Sequence, residues 1–164
     1  MGTNLDVATL ASRSFLSNLP SAVVIQTTPQ SIPDSTDTAI TFQSESLDNW
    51  GGFSGTHPTR YTFQIRGTYM LDASISWAGN DTGRRYHDFR ISGTTHVVPG
   101  SATDIQSTDT NNLVTSTPTV LYPFNVGDYI EVIANQTSGA ALSTTTSGAT
   151  SAFITTLTVK WVHR

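Results

Sequence analysis

Two neighbouring stretches of the chain alternate between apolar and polar residues. In the first, Tyr61, Phe63 and Ile65 alternate with Thr62, Gln64 and Arg66; in the second, Tyr69, Leu71, Ala73, Ile75 and Trp77 alternate with Met70, Asp72, Ser74 and Ser76. Successive side chains of a strand point to opposite faces, so each stretch predicts a strand with one buried and one polar face. Gly67 separates them. Further strands are predicted over 22–28, 38–42, 84–91, 113–122 and 129–134. A final strand places Phe153, Leu157, Val159 and Trp161 on one face. Pro118 inside the 113–122 stretch suits an edge strand or a bulge, because proline cannot donate to a ladder.

Between these stretches lie turn clusters. Residues 43–58 hold Trp50, Gly51, Gly52, Gly55 and Pro58 and read as a long loop; 78–83, 101–111 and the Ser/Thr/Gly/Ala-rich 136–150 read the same way. Eight to ten short strands separated by such clusters predict an all-β sandwich or jelly roll. The first twenty residues differ. Leu5, Ala8, Ala11, Phe15 and Leu16 recur at helical spacing and Pro20 ends the pattern, which predicts a short amphipathic helix or arm. Leu5, Leu10, Phe15 and Leu16 are its candidate anchor residues. The division expected is an arm over 1–21 and a head domain over 22–164.

Composition narrows the functional classes. The 164 residues carry 8 basic and 12 acidic side chains, a net charge of -4, and Lys160 is the one lysine. There is no basic stripe to track phosphates, so nucleic acid is not an expected partner. Cysteine is absent, which removes disulfides, thiolate metal sites and cysteine nucleophiles. No apolar run is long enough for a membrane-spanning helix, so membrane insertion is not expected. No basic segment leads into an apolar one at the N-terminus, so no secretory signal is expected.

The stretch TRYTFQIRGTYMLDASISW (59–77) resembles the central signature of the C1q globular head, in the C1q and tumour-necrosis-factor superfamily. There, an aromatic strand, a glycine and a second aromatic strand follow one another; here they are Phe63, Gly67 and Tyr69. SLDNWGGF (46–53), FRISGT (89–94) and VGDYIEV (126–132) are similar to further family segments in the same order, and the resemblance covers about 22–164. It implies a ten-stranded C1q/TNF-like jelly roll assembling as a homotrimer. No collagen repeat precedes the head. QSIPDSTDTAITF (30–42) and WAGNDTGRRYHDFRISGT (77–94) resemble stand-alone heads of bacteriophage structural proteins. That likeness implies a virion protein made in the bacterial host cytoplasm and carried on the particle surface, with other capsid or tail proteins as partners.

Candidate residues follow from both readings. Tyr61, Phe63, Tyr69, Tyr122, Tyr129 and Trp161 are candidates for the trimer interface or the core, since both need aromatics at alternating positions. Trp50, Arg84, Arg85 and Tyr86 are candidates for surface binding, by ring stacking on a host glycan or by arginine contacts to an anion. The four histidines have no metal-ligand spacing, and no nucleophile elbow or phosphate-binding loop occurs. Asp104, Asp109 and Asp128 form no spaced ligand series for calcium. No cofactor, metal or catalysis is therefore expected. The function expected is capsid decoration through the N-terminal arm. A minor tail or fibre subunit with a carbohydrate-binding role is the alternative, and a soluble signalling ligand is disfavoured by the expected lack of a secretory signal.

Overall fold

The computed structural model describes residues 18–146 and 153–164. Among these the chain is all-β, with thirteen strands. They are β1 (Ser21–Ile25), β2 (Ser31–Ile32), β3 (Thr38–Ala39), β4 (Ser44–Asp48), β5 (Arg60–Thr62), β6 (Gly67–Trp77), β7 (Arg84–Ile91), β8 (Thr103–Gln106), β9 (Leu113–Ser116), β10 (Val120–Phe124), β11 (Tyr129–Gln136), β12 (Leu142–Ser143) and β13 (Thr156–His163). One sheet runs in the order β10-β6-β13-β1-β4, with β9 beside the far end of β6. The second runs β3-β11-β7-β8, with β5 also on β11, and β2 and β12 form a small ribbon. Every pairing is antiparallel. Two such sheets face to face form a jelly-roll sandwich.

The alternation in β6 carries straight into the core: Tyr69, Leu71, Ala73, Ile75 and Trp77 are all buried. The facing strand β11 buries Ile130, Val132 and Ala134 against them, and β13 adds Leu157, Val159 and Trp161. Phe153 departs from expectation. It precedes β13 and lies exposed, so the apolar face of the last strand begins at Leu157. The predicted 113–122 strand is broken where Pro118 stands, into β9 and β10, both on the open edge of β6. Proline breaks the ladder there, and the Thr117 hydroxyl accepts the Ala73 N–H at 2.9 Å in its place. Three strands, β4, β8 and β12, fall inside segments read as loops.

Gly67 has a steric role. A Cβ there would overlap the Trp161 indole nitrogen and crowd the His163 carbonyl. The glycine of the aromatic–glycine–aromatic signature thus lets the last strand's tryptophan lie against the start of β6. Gly67→Ala is expected to lower the unfolding free energy by about 1–3 kcal/mol, the range for overpacking a closed core; thermal or urea unfolding reads it. Gly127 serves a turn: its φ is +87°, and the Asp128 carboxylate accepts the Asn125 N–H at 2.8 Å across that turn.

The anchor candidates Leu5, Leu10, Phe15 and Leu16, and the helix or arm expected there, lie outside the described residues. So does the 147–152 part of the Ser/Thr-rich loop.

Candidate interaction surfaces

The outward face of the first sheet is read from its register, because cross-strand partners share a face. Leu121 pairs with Met70, Met70 with Lys160, and Lys160 with Ser21. The next row runs Asp72, Thr158, Val23 and Leu47. Leu121 is 60% exposed and Leu47 45% exposed, and Val162 near the end of β13 is exposed too. Two apolar pairs, Leu121 with Met70 at one edge and Val23 with Leu47 at the other, flank Lys160, Ser21, Asp72 and Thr158 on this face. Large exposed apolar side chains gathered on one face mark an interaction surface.

The aromatic candidates occupy other places. Tyr61, Phe63, Tyr69 and Trp161 lie inside the sandwich of a single chain. Phe63 stacks on Phe124 at 3.8 Å between ring centres, and the Tyr69 hydroxyl donates to the Ile65 carbonyl at 2.7 Å. Tyr61 and Tyr69 are phenols in apolar surroundings, and burial raises both: Tyr69 to about 12, Tyr61 further. Tyr122 and Tyr129 are half-buried. Tyr122 tilts against Phe124, and the Arg60 guanidinium lies 4.4 Å over the Tyr129 ring. These residues form core and core margin, and the exposed apolar side chains of the first sheet are aliphatic instead.

The arginine cluster on β7 splits between two faces. Arg85, His87 and Phe89 point inward, while Tyr86, Asp88 and Arg90 point outward. Arg85 was expected on the surface, yet it is fully buried. Its guanidinium donates to the Asn80, Thr82 and Arg84 carbonyls at 2.9–3.1 Å and lies 5.9 Å from the Trp77 ring centre. These backbone carbonyls take up the two terminal nitrogens while the buried Nε has no hydrogen-bond partner, so Arg85 is a structural clamp and unavailable to an outside anion. Arg84 stays exposed but is paired with Asp104 at 2.8 Å.

His87 is also fully buried. One ring nitrogen lies 3.1 Å from the Thr115 hydroxyl, which also accepts the Trp77 indole N–H at 3.0 Å. The other ring nitrogen has no hydrogen-bond partner. Burial pushes the imidazole down to about 4.

On the outward side, Tyr86 donates to Asp88 at 2.7 Å. Arg90 reaches Asp88 at 3.3 Å and Asp37 at 2.6 Å, and Asn135 donates to Asp37 at 2.7 Å. The Asn135 hydrogen bond, with Arg90 behind it, holds the Asp37 carboxyl below its ordinary value, and burial together with Asp88 pushes Tyr86 up to about 12. Asp88 is buried beneath the network, with its Oδ1 and the Arg90 Nε meeting as an ion pair and not as a hydrogen bond, and Tyr86 is left half-buried with its hydroxyl engaged. Trp50 is also half-buried, and its indole N–H donates to the Asn18 carbonyl at 2.7 Å. It pins the chain leading into β1, helped by Asn49 donating to the Leu19 carbonyl at 2.9 Å. Asp109 caps its own loop through Asn111, so Asp104 and Asp109 do not converge as a pair of carboxylates.

A concavity lies where β6 begins and β10 and β13 end. It has a volume of about 670 Å³ and is lined by Ile65–Thr68, Pro123–Val126 and Arg164. Sequence reading missed it because its walls come from three distant segments. A signal was present in Arg66, an unmatched cation at the break between two strands.

No family model matches the sequence. The uncharacterized protein L688 of Acanthamoeba polyphaga mimivirus is 26% identical over 146 residues, which is 80% of this chain and 62% of that protein. The chain therefore spans under two thirds of that relative's length. Among solved structures, murine APRIL at pH 5.0 matches with a TM-score of 0.62 at 14% identity, over 87% of this chain and 98% of that one. The Eiger TNF of S. frugiperda matches with a TM-score of 0.62 at 8% identity, over 88% and 93%. At such identities the likeness is one of fold, and the fold of this chain is a TNF-like jelly roll.

Proposed function

We propose that this chain is a non-enzymatic, homotrimeric subunit of a virion surface, acting as a bacteriophage capsid-decoration protein attached through its N-terminal segment. The observation that supports self-association is the two exposed aliphatic pairs on the outward face of the first sheet, Leu121–Met70 and Val23–Leu47. A monomer gains nothing from exposing these side chains, and a closed ring of identical contacts covers them. A stable assembly of this kind buries on the order of 2,000 Å² per contact. Similarity to a protein of a virus supports the virion setting.

Native mass spectrometry of the full-length chain at micromolar concentration is expected to give a trimer. Leu121→Asp, on a side chain that a lone subunit leaves in water, is expected to shift the mass to monomer with the circular dichroism spectrum unchanged. A wild-type monomer would sink the assembly. Immunogold labelling of virions tests the placement: label over the head supports decoration, and label at the tail replaces it with the minor tail reading.

A further inference from the structure

We infer that the cleft at the end of the first sheet is a binding site for a sugar acid, a pyranose bearing a carboxylate. Two guanidinium side chains, Arg66 and Arg164, line it, and both residues are exposed. Neither makes an ion pair among the described residues, whereas Arg84 and Arg90 are each held by an aspartate. The nearest acid in the adjoining turn, Asp128, is turned back onto the Asn125 N–H at 2.8 Å. The cleft therefore carries two arginines without an ion-pair partner among the described residues, a residue type suited to a planar carboxylate.

Size and lining select the rest of the ligand. A volume of about 670 Å³ is far more than a lone inorganic anion fills and lies within the usual range for organic ligands. Pro123 and Val126 offer exposed apolar surface to a sugar ring face, and Val126 is 66% exposed. Thr68 and Asn125, which carry a hydroxyl and an amide able to bond ring hydroxyls, are also among the lining residues. No deep apolar slot suits an acyl chain. The cleft is complete within one chain, so this inference does not depend on the trimer.

The test is a calorimetric or NMR titration of the full-length protein with D-glucuronate, with D-glucose and acetate as controls. Glucuronate and glucose share the ring and differ in the carboxylate; acetate supplies the carboxylate alone. Glucuronate is expected to bind at least about tenfold more tightly than either control, the scale of one charge-assisted hydrogen bond. Arg66→Gln and Arg164→Gln are each expected to weaken it by about tenfold or more, and Arg84→Gln to leave it unchanged. Both cleft substitutions lie on exposed side chains, and unchanged unfolding curves confirm intact folds. Equal binding of glucose, equal binding of acetate (a general anion site only), or an undiminished Arg66→Gln affinity would each overturn the proposal.

Discussion

Phe63→Ala is expected to lower the unfolding free energy by about 3–5 kcal/mol, the range for truncating a fully buried phenylalanine. The ring has no exposed surface, stacks on Phe124 at an interplanar angle of 14°, and meets Tyr69 at 4.6 Å and Tyr61 at 5.6 Å. Removing it opens a cavity among three aromatics that cannot close without breaking backbone pairing. The Phe63 N–H donates to the Asp128 carbonyl, and its own carbonyl accepts the Gly127 N–H, at 2.8 and 2.9 Å. These bonds fix the backbone on either side, so relaxation into the void is small. A domain of this size is expected to lose about 6–20 °C in melting temperature from such a change. Calorimetry or urea unfolding reads it, and a loss below about 1 kcal/mol would show that the cluster is not packed as described.

Acidification is the second large effect. His87 is held at about 4 in the fold against 6.5 for an ordinary imidazole, because burial disfavours its charged form. Above pH 6.5 both folded and unfolded chains carry it neutral, and it contributes nothing to pH dependence. As pH falls below 6.5 the unfolded chain takes up a proton that the folded chain refuses, so stability drops until about pH 4. The loss between about pH 7 and about pH 4.5 is expected to be about 2–3 kcal/mol. His87→Gln, which keeps a polar group beside Thr115, is expected to flatten that slope. Unfolding titrations of both proteins at the two pH values decide the matter; equal slopes would refute the assignment to His87.

How much was legible depends on what each strand faces. β6 was readable residue by residue because one of its faces is core and the other polar. β4 and β8 were not: Ser44–Asp48 and Thr103–Gln106 are sheet-edge strands with mostly exposed side chains, and no apolar alternation marks them. Arg85 and His87 sit on the core side of β7, where a polar residue normally signals solvent, so the sequence pattern pointed the wrong way. The aromatic candidates show a different limit. A trimer interface and a sandwich core both demand aromatics at alternate positions, and only the packing of Phe63 on Phe124 separates the two. The end cleft had no linear signature, since Arg66 and Arg164 meet through the pairing of β6 with β13.

The position of β13 bears on how the chain comes off the ribosome. It is the last strand made, yet it lies between β6 and β1, pairing with both. Until it emerges, β1 and β6 each present an open edge, and the sheet that will carry the aliphatic pairs lacks its central strand. The nascent sandwich thus waits, half-built, for its final segment, with unpaired strand edges exposed to neighbouring chains. Open strand edges of this kind are what make partly folded chains prone to aggregate.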